Sequence, residues 1–236
     1  MGYFELMGFG PKGWGLLLAQ ATLMTIAVSV TAFAIGAVLG ALLAWARLAG
    51  GRGVNLAAET YVTVLRGIPD LLVIYLLYFG GSSALTSLMK ALGNDGFVGV
   101  NAFAAGAIAV GIISAAYQSE VYRGAFGAVA KGEIEAARAV GMGRMLMFRR
   151  ILAPQILRFA IPGLGNVWQL ALKESALISV VGLTEILRQA QVGAGSTRQP
   201  FFFFITAAAL YLILSTVSGW GFNRAEAAAM RGVRRA

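Results

Sequence analysis

The 236-residue chain contains no cysteine and no histidine. The first absence removes thiol nucleophiles, disulfides and thiolate metal sites. The second removes imidazole ligands and the usual acid–base group of chemistry near neutral pH. Charge is scarce too, at 12% of residues, where a soluble domain carries roughly 25%. The few carboxylates form no cluster that suggests an all-oxygen metal site. The dipeptide Gly-Lys never occurs, so there is no G-x4-G-K-[ST] loop to cradle ATP phosphates. No basic stretch precedes the first apolar run, where Glu5 and Lys12 stand instead, and a cleavable signal peptide is not expected. Neither an internal repeat nor a Gly/Ser linker divides the chain, which reads as one integral domain over 1–236.

Apolar surface is what the sequence has in quantity. Hydrophobic residues make up 58% of it and the mean hydropathy is +0.76, values of the membrane class. Residues 13–46, 71–89, 96–119 and 199–223 carry no charge, and 159–184 carries only Lys173 and Glu174. Each run is close to or beyond the roughly 20 residues that cross a bilayer as a helix. Without period-two alternation, these runs argue against a β-barrel and predict an all-α integral membrane protein with five transmembrane helices. The second span is expected to begin before Arg66, with Pro69 kinking or starting the helix. The aromatics of "QPFFFF" suit an interface position at the start of the last span.

The net charge of +9 reads as topology rather than as affinity for nucleic acid. Fourteen Lys and Arg residues fall in 47–66, 123–158 and the tail from Arg224, against four on the other side: Lys12, Lys90, Arg188 and Arg198. Because basic loops stay in the cytoplasm, the N-terminus is expected outside and the C-terminus inside.

A cytoplasmic loop at about 124–158 then interrupts the apolar pattern. "GEIEAARAVG" holds strong helix formers, with acids in the first turn where the helix dipole favours them. Gly141 permits a tight C-terminal turn, and "RMLMFRRILAPQIL" can return to the membrane. By chemistry alone, this segment either presses into a groove on another protein or rests Arg144, Arg149 and Arg150 on anionic headgroups.

Spacing favours the first reading. Glu135-Ala136-Ala137 is followed after three residues by Gly141, and after nine more by Ile151-Leu152-Ala153-Pro154. This resembles the EAA loop of ABC importer permeases, EAA-x3-G-x9-I-x-L-P, with Ala153 where the family usually has Leu. "LRGIPDLLVIYLLYFG", "AYQSEVYRGAF" and "LALKESALISVVGL" resemble other segments of polar amino acid permeases, and the likeness runs over roughly residues 15–223. "RGIPD" and "IPGLGNVWQLALK" point within that family to histidine/lysine/arginine/ornithine and opine uptake systems.

The resemblance implies a type I importer permease of MetI-like architecture in the bacterial inner membrane. It would import a polar, cationic amino acid or opine. Glu135, Ala136, Ala137, Gly141 and Pro154 would dock on a cytoplasmic ATPase dimer. ATP and Mg would be used there, and no cofactor would be held by this chain. A second permease chain, a paralogue, and a periplasmic binding protein would complete the assembly, with membrane lipid around it and no nucleic acid. The chain itself would be no enzyme. A stand-alone channel or secondary transporter would need no ATPase, but no inverted repeat is visible. A scaffold or anchored enzyme would move no solute, and no acid–base set supports catalysis.

Polar residues inside the spans need partners. Lys173 and Glu174 are costly at membrane depth and, as sequence neighbours, point about 100° apart on a helix. Asn166, Gln169 and Lys173 recur at i, i+3, i+7 on one face. Two readings stand. In one, Asn166, Gln169, Lys173 and Glu174 line the substrate path, Glu174 attracting a cation and Lys173 a carboxylate. In the other they join helices. Thr22, Thr25 and Ser29, and the pair Gly36 and Gly40, read as packing features. Glu120 and Arg123 read as an i, i+3 pair at the cytoplasmic rim.

Overall fold

The computed structural model describes residues 2–11, 13–94 and 96–231. Lys12, Arg234 and Arg235 of the charge count lie outside them. Among the described residues the regular structure is entirely helical. A short helix α1 (Tyr3–Met7) precedes α2 (Gly15–Ala49), an unbroken 35-residue helix. Next come α3 (Arg52–Gly67) and α4 (Asp70–Ala91), the latter with a π-type turn at Leu76–Gly80. The chain continues through α5 (Ala102–Gly127) and α6 (Lys131–Ala139), then α7 (Ala153–Glu174), α8 (Ile186–Thr197) and α9 (Pro200–Ala229).

Helices α2, α4, α5 and α9 are long and apolar enough to cross a membrane. Helix α7 supplies the fifth expected span. Its 22 residues extend about 33 Å at 1.5 Å per residue, but its polar face makes it less apolar than the others. Nor is the run 159–184 one uniform helix. It stops at Glu174, tightens to a 3-10 segment over Ser175–Val181, and turns at Gly182, whose φ is +90°. Pro162 lies inside α7, where its missing N–H leaves a carbonyl of the preceding turn without its helical donor. The second expected span is likewise two helices. Ile68 and Pro69 are extended, as the residue before a proline prefers, and α4 starts cleanly at Asp70. Pro69 therefore starts a helix rather than kinking one.

The bundle is organised around α2 and α5. Gly36 and Gly40 lie on their seam. A Cβ on Gly36 would stand 2.7 Å from the side chains of Ser114 and Gln118, and one on Gly40 2.9 Å from the Gln118 side chain. Small residues let the two backbones close, and Gln118 then reaches across to donate to the Phe33 carbonyl at 3.0 Å. Around this seam Val28, Ala32, Ile74, Val110 and Ile178 form the main core. Of the row Thr22–Thr25–Ser29, Thr25 accepts from the Ile186 N–H at 3.2 Å and so joins α2 to α8. Phe203, read as interfacial, is instead fully buried against Trp14, where Gly193 leaves room for its ring. Most of the apolar surface of α9 faces outward, as suits contact with lipid.

Candidate functional site

Two regions carry chemistry. The first is the charged loop after α5. Helix α6 begins with Glu133 in its first turn and ends in a Schellman turn. The Met142 N–H donates to the Ala137 carbonyl at 3.0 Å, and the Gly141 N–H to the Arg138 carbonyl at 3.0 Å. Gly141 has φ +76°, so the glycine is there for its conformation and not for lack of space. Ala137 is buried with Val129, Met147 and Leu152, which ties α6 to the segment leading into α7. Gln155 donates to Glu133 and braces the same junction.

The opposite face of the loop is free. Glu135 and Ala136 are exposed, and Val140 and Met145 leave 73% and 70% of their surface open, unusual for apolar side chains on a charged loop. Between α6 and the start of α7 lies a groove of about 780 Å³, lined by Ala136, Val140, Pro154, Arg150 and Arg158 among others. Of the five coupling residues read from the sequence, Ala137 and Gly141 thus hold the loop in shape. Glu135, Ala136 and Pro154 border its open face or groove.

The second region lies inside the bundle. Glu174 is 4% exposed, and among the described residues the one polar group within hydrogen-bonding reach of its carboxyl oxygens is the Asp70 carboxyl. The Asp70 carboxyl, in the first turn of α4, repels it when both are charged and shares a hydrogen bond with it when one holds a proton. Tyr117 of α5 stands in the field of both carboxylates, and the Arg66 guanidinium sits 5.4 Å from the Tyr117 ring centre. A buried carboxylate normally gathers donors. Two facing carboxyls with none make a place where a cation would be stabilised.

The four path candidates do not share one place. Gln169 is engaged with α9: its side-chain N–H donates to the Ser215 carbonyl at 2.9 Å, and its oxygen accepts from the Ser215 hydroxyl at 2.6 Å. Lys173 is exposed and lines a cavity of about 510 Å³ with Ala208, Leu212 and Ser215. Asn166 is exposed. Only Glu174 faces α4 and α5. Sequence reasoning missed Asp70 as its neighbour. The signal was present in "RGIPD": an acid directly after a helix-starting proline, next to a charge-free run.

A lipid-facing helical bundle, a structured loop with an open face at one end and a bare carboxylate pair within define a membrane translocation subunit. The chain belongs to the family of binding-protein-dependent transport system inner membrane components, which it matches over residues 36–229. It is 60% identical over 235 residues to the octopine transport system permease protein OccQ of Rhizobium meliloti, covering 100% of this chain and 99% of that one. It is 38% identical over 224 residues to the histidine/lysine/arginine/ornithine transport system permease protein HisQ of Escherichia coli (strain K12), covering 95% and 98%. A crystal structure of an amino acid ABC transporter with histidines contains a similar chain, with TM-score 0.76 and 31% identity over 90% of this chain and 94% of that one. The chain is accordingly a permease subunit of an ABC importer in the inner membrane, and ATP hydrolysis belongs to a separate subunit.

Proposed function

We propose that this subunit carries a cationic amino acid or opine across the membrane, with Asp70 and Glu174 receiving its guanidinium or ammonium group. The observation that carries the reading is the buried Glu174 carboxylate, bare of donors and facing a second carboxyl. The similar proteins support it, since histidine, lysine, arginine, ornithine and octopine all bear a basic side chain. Lys173 stands on the α9 side of α7 and Asn166 is exposed, so in this reading they serve helix packing or the neighbouring permease chain.

The open face around Glu135, Ala136 and Val140 seats a cytoplasmic ATPase, and closure of the ATPase dimer rocks the spans through Ala137 and Gly141. The loop is then cytoplasmic and the N-terminus external, as the distribution of arginines indicates. A second, paralogous permease chain and a periplasmic binding protein complete the assembly.

The test is uptake by proteoliposomes that hold the chain with its ATPase, its second permease and its binding protein. Glu174→Gln and Asp70→Asn are expected to insert normally and to lose arginine uptake. Uptake at the wild-type rate in both variants would remove the cation role from this pair.

A further inference from the structure

A second polar cavity, of about 510 Å³, opens between α2, α3 and α5, on the loop side of the Asp70–Glu174 pair. Its charged lining is Arg47, Glu59, Arg66 and Glu120. Glu59, Thr63 and Arg66 recur at i, i+4, i+7, so one face of α3 supplies three of the lining groups. Arg47 comes from the end of α2, and its side chain is only 9% exposed.

The groups are not fully paired with one another. Arg47 Nη1 donates to Glu120 Oε1 at 2.6 Å, while Glu120 Oε2 is taken by Arg123 at 2.7 Å. Arg47 Nη2 reaches Glu59 only at 3.6 Å, and Arg47 Nε is buried with no acceptor among the described residues. Arg66 has no carboxylate partner among the described residues. Its neighbour is the Tyr117 ring. Glu59, with 56% of its side chain exposed, has only the long contact to Arg47 among the described residues. The cavity therefore offers unspent donors on two arginines and unspent acceptors on one glutamate.

That balance selects the ligand. A simple anion would meet Glu59 and Glu120, and a simple cation would meet Arg47 and Arg66. A small molecule bearing both a carboxylate and an ammonium group complements both signs at once, and charge-assisted bonds to Arg are the stronger kind. The volume is of the size that holds small metabolites. Arg66 links the two regions, since it borders this cavity and also touches Tyr117, which feels Asp70 and Glu174.

We infer that the cavity is a binding site for the carboxylate–ammonium head of an α-amino acid, held by Arg66 and Arg47 on one side and Glu59 on the other. Its place along the path, as the station on the loop side of the Asp70–Glu174 pair, rests on the transport reading above. The binding itself does not. The two stations read different ends of the substrate: the bundle pair reads the basic side chain, and this cavity reads the head common to all amino acids.

The test uses the detergent-purified complex of this chain with its second permease and ATPase, carrying Glu174→Gln so that the cation pair is disabled. The probe is L-alanine, with propionate and ethylamine as half-ligands, read by saturation-transfer NMR. Alanine is expected to give a signal that neither half-ligand gives. Arg66→Gln should reduce it at least twofold, and so should Thr63→Trp, which fills the cavity and leaves all four charges in place. Either variant that folds suffices for the reading. If alanine behaves like its halves, or if its signal survives both substitutions, the cluster is only an ion-pair brace between helices. Arg66 enters such a brace through the Tyr117 ring and not through an ion pair, so Arg47→Ala would then lower the melting temperature by more than Arg66→Gln. Should Glu174→Gln leave arginine uptake intact, the transport reading fails while the alanine result stands on its own.

Discussion

Two buried glutamates in this chain differ in every respect but burial. Glu185 is 0% exposed and accepts three hydrogen bonds: from the Arg188 N–H at 2.7 Å, from the Leu187 N–H at 2.9 Å and from the Tyr211 hydroxyl at 2.7 Å. It caps α8 and ties it to α9. Glu174 is nearly as buried, and among the described residues it meets only the Asp70 carboxyl and no N–H or hydroxyl donor. Same side chain, same depth, opposite surroundings: one carboxylate is spent on the fold and the other is left for something that is not part of the chain. A buried charge whose donors are all present stabilises structure, whereas one without them is expensive to keep.

Substitutions can break this contrast. The largest effect is expected for Glu174→Gln on transport. Arginine uptake by the reconstituted importer should fall about 30-fold or more, as when a buried charge pair loses one partner at a cost of roughly 2 kcal/mol or above. Its thermal stability should stay level or rise. Glu185→Ala should do the reverse, lowering stability by about 3 kcal/mol, because hydrogen bonds to a charged group and a helix cap are lost together. Thermal unfolding followed by fluorescence would report both. Next comes Gly141→Val, which forces a β-branched residue to φ +76° at a cost of about 1–2 kcal/mol. The chain should still insert, yet retain less ATPase on affinity purification. The smallest effect is expected for Gln169→Leu, which removes the two bonds to Ser215 and should cost about 1 kcal/mol. Substrate preference should stay unchanged.

How much of this could be read beforehand follows from how local each feature is. The loop was legible because its determinants lie within 20 residues of one another: Gly141 at the helix end, Ala137 inward, Glu135 outward, Pro154 where the chain re-enters the bundle. The helical runs were legible from hydropathy, as was the packing role of Gly36 and Gly40. Where one run hid two elements, at Pro69 and at Glu174–Gly182, the composition stayed apolar while the backbone changed direction, and hydropathy does not register that. The two readings of the α7 face stayed open for a different reason. Asn166, Gln169 and Lys173 do share a side of α7, but periodicity carries no information about which neighbour that side meets. It meets α9. Glu174 looks the other way, and the partner that gives it meaning, Asp70, is more than a hundred residues distant in sequence.

Glu120 and Arg123 show the same limit. The i, i+3 pair forms, with Arg123 Nη2 to Glu120 Oε2 at 2.7 Å. Arg47, arriving from α2, turns that local pair into part of a charged cavity that no spacing in α5 could announce.

The most direct measurement is equilibrium binding of arginine and of citrulline, which has the same head but an uncharged side chain, to the purified permease–ATPase complex without the binding protein. Wild type should bind arginine at least tenfold more tightly, and Glu174→Gln should bring the two together. Equal affinity for both ligands in the wild type, or a preference that survives Glu174→Gln, would contradict the assignment of this bare carboxylate to the substrate's charge.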